Sequence, residues 1–267
     1  METIRTKKLI MKKEVKVSFL SKKLIVRLGQ SLVHLPNDIQ EKIDAYWQEL
    51  LKNGKKYKRG EVFTVTKKDE TDKTVEVLVE KTDYAHYLYC QNVDNLGDYG
   101  VHIIHTAILV ETSDGKIIFG KMGEHTSRAG IFQLCGGGID NHDLRGDVFD
   151  FDHNISKESM EELGMDIADK KRIKNFRQAY FKDGGPTDKM TVVYSVELTE
   201  TSSEFMEKYA KYAESLICSG ENPEFGEIII LAKNKTDIRE FFTKNIEKCD
   251  EYMNPLFEFI VENESVN

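Results

Sequence analysis

The sequence predicts a mixed α/β protein with a smaller α+β region at its N-terminal end. Strand-like runs alternate with amphipathic helical stretches along the chain, a glycine-flanked break at Gly97-Asp98-Tyr99-Gly100 separates two such sets, and no internal repeat interrupts them. The expected units are residues 1–100, the N-terminal α+β region, and residues 101–267, the main domain.

In the first unit, apolar and polar residues alternate roughly from Glu14 to Leu28, which predicts two strands around Ser21-Lys22-Lys23. Pro36-Asn37-Asp38 opens a helix over Ile39 to Leu51 whose stripe is Ile39, Ile43, Trp47, Leu50 and Leu51. Two strands follow, Val62 to Lys67 and Thr74 to Val79, and then a short helix from Tyr84 to Gln91. In the second unit, Ile103 to Glu111 and Lys116 to Met122 form a hairpin about Ser113-Asp114-Gly115. Ile131 to Leu134 runs as a short strand into Gly136-Gly137-Gly138, where glycine permits close backbone approach. After a long helix come strands Lys174 to Phe181 and Met190 to Leu198 around the turn Lys182 to Thr187. A helix from Ser203 to Leu216, a strand from Glu227 to Ala232 and a last helix from Thr236 to Met253 complete the series.

With 40% hydrophobic and 31% charged residues, the chain has the composition of a soluble globular protein. No stretch approaches the roughly 20 apolar residues of a membrane span. The basic start (Arg5, Lys7, Lys8, Lys12, Lys13) leads into no apolar segment, so no signal peptide and a cytoplasmic location are expected. Cys90, Cys135, Cys218 and Cys249 are far apart and form no CxxC pair, which points to reduced thiols and away from a zinc site. A net charge of −8 disfavours nucleic acid as a partner, whereas a small anionic substrate fits if a metal screens the charge.

The acidity is local, because residues 140–169 hold ten Asp or Glu side chains. On a helical wheel, Val148, Phe151, Ile155, Ser159 and Leu163 share one arc, with Glu158, Glu161 and Glu162 grouped beside it. Like charges three and four residues apart destabilise a helix, and a divalent cation held by hard oxygen ligands would remove that repulsion.

The run Lys157-Glu158-Ser159-Met160-Glu161-Glu162-Leu163-Gly164-Met165 resembles the second half of the Nudix box, G-x5-E-x7-R-E-U-x-E-E-x-G-U, where U is a bulky aliphatic residue. Gly137 matches its first glycine, and the hairpin, strand and glycine turn before it follow the family's order. The resemblance implies an α-β-α sandwich with a mixed sheet, and Mg²⁺, or Mn²⁺ in its place, held by Glu158, Glu161 and Glu162. It implies a glycine turn (Gly136, Gly137, Gly138) close to the substrate. It also implies a further acidic residue on a facing loop, for which Glu224 is the candidate and Glu227 the alternative.

Three departures stand out. Lys157 replaces an arginine and cannot form a planar bidentate clamp. Ser159 occupies an aliphatic position. Between Gly137 and Lys157 lie 19 residues where the pattern places 13, so six are inserted, and the first-half glutamate has two candidate counterparts, Asp140 and Asp147.

An inserted box behind an N-terminal α+β block resembles, more narrowly, the Nudix hydrolases that cleave UDP-glucose and UDP-galactose. Trp47, the Thr82-Asp83-Tyr84 turn and the run from Glu221 to Leu231 are the features shared. That resemblance implies metal-assisted water attack on a nucleotide sugar, giving UMP and sugar 1-phosphate, with one glutamate or Glu224 as the base. Hydrolysis of ADP-ribose or another nucleoside diphosphate derivative, and a catalytically degenerate nucleotide-binding module, stay open beside it. Tyr89, Tyr180 and Phe181 are expected to pack rather than stack on a base, and His142 and His153 to lie at the surface. The N-terminal region is expected to cover the substrate or to form a homodimer interface.

Overall fold

The computed structural model describes residues 13–264, so the basic residues Arg5, Lys7, Lys8 and Lys12 lie outside the described part. The central element is β5 (Ile104–Glu111), whose residues are buried on both faces up to Val110. A continuous apolar run of this kind suits a strand covered by helices on both sides. β6 (Lys116–Met122) returns antiparallel across a turn in which Gly115 adopts φ 71°.

The large sheet is built around this hairpin. β10 (Ile173–Gly185) and β11 (Met190–Leu198) pair antiparallel, and β11 runs parallel to β5, opposing Val192 to Thr106 and Val196 to Val110. With β1 (Lys13–Phe19) and β12 (Phe225–Ala232) at the edges, the strand order is β1-β10-β11-β5-β6-β12. The short β7 (Phe132–Gln133) pairs beside β6.

One face packs on α3 (Phe151–Leu163) and α4 (Ser202–Cys218): Ile104, Ile108 and Val110 meet Phe151, Ile155, Leu163, Phe205 and Tyr209. Ala107 and Leu109, pointing the other way as the strand period requires, join α5 (Lys235–Asn245) and α6 (Met253–Asn263) through Phe242, Leu256, Phe257 and Ile260. Each such fully buried side chain stabilises the fold by roughly 1.5–3 kcal/mol. The result is the expected α-β-α sandwich with a mixed sheet.

Strands β2 (Lys23–Leu32), β3 (Glu61–Glu70), β4 (Thr74–Asp83), β8 (Leu144–Arg145) and β9 (Val148–Phe149) form a second sheet in the order β3-β4-β2-β9-β8. α1 (Asn37–Lys52) and α2 (Tyr84–Asn92) pack on each other through Ile43, Trp47, Ala85, Leu88 and Tyr89. β8 and β9 reach this sheet from beyond residue 100, while β1 reaches the large sheet from before it. The two sheets therefore exchange strands. Among the described residues no helix is long and apolar enough to cross a membrane.

Three local expectations change. β10 continues to Gly185 through the predicted turn, because Lys182 is fully buried with its Nζ held by the Lys189 carbonyl at 2.9 Å and Glu251 at 2.6 Å. The last helix is two: it breaks after Asn245, where Asp250 is drawn into a buried ion pair, and restarts with Pro255 in its first turn, where the missing N–H costs no bond. Val148 belongs to β9, not to the acidic helix.

Candidate active site

α3 starts at Asp150, whose carboxylate accepts from the His153 backbone N–H at 3.0 Å, and ends at Gly164 with φ 59°. A side chain at Gly164 would be strained by that φ and would strike the Tyr212 ring at 2.3 Å. Tyr212 itself donates to the Glu161 carbonyl at 2.6 Å, tying α4 to the last turn of α3. Ser159, at the aliphatic position, is fully buried, and its hydroxyl donates to the Met165 carbonyl at 2.7 Å. It closes the end of the helix where the sequence suggested only weakened packing.

The three glutamates have different surroundings. Glu162 is buried at 4% exposure and accepts from the Gly136 N–H at 3.0 Å. Glu158 keeps 14% of its side chain exposed, with Lys157 Nζ 3.6 Å away, while Glu161 is exposed. Glu224 lies exposed on the loop before β12, held by a hydrogen bond from the Gly123 N–H to its carbonyl at 2.8 Å. Burial pushes Glu158 up to about 7; Lys157 opposes this, and Glu161 and Glu224 push it further. Burial likewise holds Glu162 well above the usual carboxylate range, with Glu224 and Glu158 adding to it. The structure thus brings Glu224 into the electrostatic neighbourhood of both buried glutamates. Glu227 sits on β12 beside Lys121, 4.0 Å away, as a surface pair.

The glycine turn is pinned to β5 by the hydrogen bonds of Ile108 to the Cys135 carbonyl (2.8 Å) and of Thr106 to the Gly137 carbonyl (2.9 Å). A Cβ at Gly136, φ 147°, would lie 2.2 Å from the Thr106 carbonyl oxygen, and one at Gly137 would lie 2.6 Å from the Glu158 carboxylate. Gly136 therefore lets the turn lie against the β5 backbone, and Gly137 makes room for Glu158. Gly138 is open, and its carbonyl accepts from Asn154 at 3.1 Å.

Asp143 escaped the sequence reading. It is fully buried, accepting from Asn154 Nδ2 at 2.9 Å and from the Asp140 N–H at 2.8 Å, with His153 Nδ1 at 3.0 Å. Asn154 also accepts from Thr106 at 2.5 Å, so the network joins the glycine turn, β5 and α3. The signal was present: Gly137-x5-Asp143 has the spacing of the Nudix pattern, and removing the six residues 144–149 leaves seven between Asp143 and Lys157. Those six residues are the β8–β9 hairpin, and they dock on β2, where Asp147 meets Arg27 at 3.0 Å. Asp147 is exposed, and Asp140 instead takes the Lys157 ammonium at 2.5 Å. His142 is exposed; Tyr89, Tyr180 and Phe181 are buried as packing residues.

Among the described residues no three His, Cys, Asp or Glu side chains are already gathered into a cation cage. The donor set nonetheless suits a hard divalent cation: oxygen donors only, carboxylates crowded enough to push one another's proton affinity up, and two of them, Glu161 and Glu224, exposed and free of packing. Next to the box, a cavity of about 310 Å³ is lined by Gly138, Asp140, Phe63, Tyr84 and Tyr87.

No protein-family model matches the sequence, and no curated protein matches it. Solved structures similar to it include a bifunctional NMN adenylyltransferase/ADP ribose pyrophosphatase from Francisella tularensis, 10% identical over 61% of this chain and 41% of that one, with a TM-score of 0.39. This chain thus spans about two fifths of that protein's length. Others are a MutT protein from Methanosarcina mazei (14% identity, 61% and 96% covered, TM-score 0.36) and a NUDIX hydrolase from Nitrosomonas europaea (10%, 61% and 72%, TM-score 0.35).

Proposed function

We propose that this chain is a Nudix-type hydrolase that cleaves the diphosphate link of a nucleoside diphosphate derivative. The observation that carries the reading is the pairing of the buried Glu162 with the half-buried Glu158, with Glu161 and Glu224 beside them. Crowding carboxylates out of water with Lys157 as their one close counter-charge is costly and is characteristic of functional sites. Glu158, Glu161 and Glu162 would hold Mg²⁺ or Mn²⁺, which supplies charge neutralisation at the diphosphate and acidifies a water. Glu162 is fixed by the Gly136 N–H, and Glu158 is placed by Lys157 on one side and the bare Cα of Gly137 on the other. Glu224, exposed on the opposite loop, is the candidate base that takes the water's proton.

Within this reaction the substrate is a UDP-sugar, cleaved with water to UMP and sugar 1-phosphate. Support comes from the likeness of the inserted box to the UDP-sugar-hydrolysing branch and from the docking of that insertion on the N-terminal sheet. The N-terminal region, residues 1–100, then helps to enclose the ligand, since Tyr84 and Tyr87 share a cavity wall with Gly138 and Asp140.

The test is product release from UDP-glucose, UDP-galactose, ADP-ribose and other nucleoside diphosphate derivatives with Mg²⁺ or Mn²⁺, repeated with Glu161→Gln and Glu162→Gln. Turnover led by UDP-sugars is expected, and turnover led by ADP-ribose replaces the substrate but keeps the reaction. No turnover on any diphosphate ends the hydrolase reading. Equal turnover by the variants ends the site assignment.

A further inference from the structure

A second and larger cavity, about 550 Å³, opens between the α1–α2 pair and the loops at one end of the large sheet. Its volume is in the range of small-molecule sites. Four tyrosines line it: Tyr46 from α1, Tyr57 from the segment after α1, and Tyr84 and Tyr87 from α2. Tyr84 and Tyr87 also line the smaller cavity at Gly138 and Asp140, so the two spaces share a wall.

The opposite side is charged and built from buried groups. Asp250, 4% exposed, takes Lys189 at 2.8 Å and Arg128 at 2.7 Å, and Lys189 is itself 5% exposed. Glu251 takes Lys182 at 2.6 Å and the Thr187 N–H at 3.1 Å. On the cavity wall two carboxylates thus meet Arg128 and Lys189, with Lys182 buried behind Glu251, and Lys55 adds a further positive charge at the rim, 5.9 Å from the Tyr57 ring centre. The lining side chains therefore carry one positive charge in excess, in a chain of net charge −8. Thr187 lines the same cavity, and its buried hydroxyl oxygen has no hydrogen-bond partner among the described residues. A buried polar atom left unpaired is costly and calls for an acceptor or donor from a ligand.

We propose that this cavity binds a nucleoside monophosphate moiety, with its ring against the tyrosines and its phosphate toward Arg128 and Lys55. Tyrosine faces bind flat heterocycles with little dependence on the identity of the ring, and Arg128, which gives Nη2 to Asp250, offers the remaining edge of its guanidinium to phosphate oxygens. For the identity of this moiety as part of the substrate, the proposal rests on the hydrolase reading. The shared wall at Tyr84 and Tyr87 would let the rest of the ligand extend to the box.

The experiment is calorimetric titration of the full chain with UMP, AMP, the matching nucleosides and inorganic phosphate, without divalent cation, alongside emission of the single tryptophan, Trp47, next to Tyr46. At least one monophosphate is expected to bind, its nucleoside about tenfold more weakly, and phosphate alone not measurably. Tyr87→Leu weakens nucleotide and nucleoside alike by about tenfold. Arg128→Gln weakens only the nucleotide, Thr187→Val does so roughly threefold, and Lys55→Gln, an exposed change that leaves the fold intact, also weakens only the nucleotide. The proposal is overturned if neither monophosphate binds, or if Tyr87→Leu and Lys55→Gln bind like the parent. Binding that responds to these variants without turnover of any diphosphate removes the hydrolase reading and leaves the site. Turnover with no such binding removes the site and leaves the hydrolase.

Discussion

Two clusters of buried charge in this molecule show opposite behaviour. Around Asp250, burial alone would push the carboxyl up, yet Lys189 and Arg128 hold it down to about 2. On α3, burial pushes Glu158 up to about 7 and Glu162 well beyond the ordinary range, and Lys157 gives too little relief against Glu161 and Glu224. Burial is common to both, so partner charge decides the direction. Asp250 is neutralised as the chain folds, whereas on α3 Lys157 is a single counter-charge among several carboxylates, and a cation there has something to gain.

The largest effect expected from that contrast is on stability. Asp250→Ala leaves Lys189 buried without its partner and should cost about 3–5 kcal/mol in urea unfolding. Glu162→Gln removes a charge that burial disfavours and should cost nothing or stabilise when divalent cations are absent. Equal destabilisation by the two would erase the distinction between a neutralised cluster and one short of counter-charge.

Activity should divide the clusters the other way. Glu162→Gln and Glu161→Gln should each lower kcat on the turned-over diphosphate by about a hundredfold or more, with the fold retained by circular dichroism. If the loss lies wholly in KM with kcat unchanged, these glutamates bind ground-state substrate and transition state equally, and the assignment of roles on α3 changes.

The pH dependence of stability separates two buried groups by sign. Glu158 has its folded pKa raised from 4.5 to about 7, so the native state holds the extra proton over that interval and stability falls as pH rises through it. His105, fully enclosed and 3.0 Å from the Met190 carbonyl, is lowered by burial and then by Lys189 to about 3. There the unfolded chain holds the extra proton, so stability rises with pH from about 3 to about 6.5 and is flat above. Each contributes at most roughly 1.4 kcal/mol per pH unit. Urea unfolding from about pH 5 to about pH 7.5 in chelator should show a decline to which Glu162, shifted in the same direction, adds; Glu158→Gln reduces it, Glu158→Gln with Glu162→Gln removes it, and Mg²⁺ or Mn²⁺ suppresses it. A decline that survives the double substitution has another source.

Much of the scaffold was legible because local patterns carried it. The β5–β6 hairpin was marked by Ser113-Asp114-Gly115, and the acidic helix by Ile155, Leu163 and the glutamates at helical spacing. What was hidden depended on tertiary contact. β8 and β9 are two residues each, too short for alternation to register, so Val148 was read into the helix it precedes. Asp143 keeps the spacing from Gly137 but not from Lys157, because the β8–β9 insertion follows it, and so the sequence left Asp140 and Asp147 as the candidates in its place. The Arg128, Lys189 and Asp250 cluster joins three loops far apart in sequence, and nothing local announces it.

The smallest expected effect lies within the acidic stretch and tests how far sequence clustering reflects shared work. Asp147 and Asp143 are four residues apart, but one is exposed against Arg27 and the other is buried among Asn154, His153 and the Asp140 N–H. Asp143→Ala strands those donors and should cost about 1–3 kcal/mol and lower activity through the displaced glycine turn. Asp147→Ala removes a solvent-screened pair and should change stability by no more than about 0.5 kcal/mol and leave kcat alone. A loss of kcat with Asp147→Ala would mean that the β8–β9 hairpin takes part in chemistry. Silence there, with loss at Asp143, confines the acidic residues that matter to those within reach of α3 and the glycine turn.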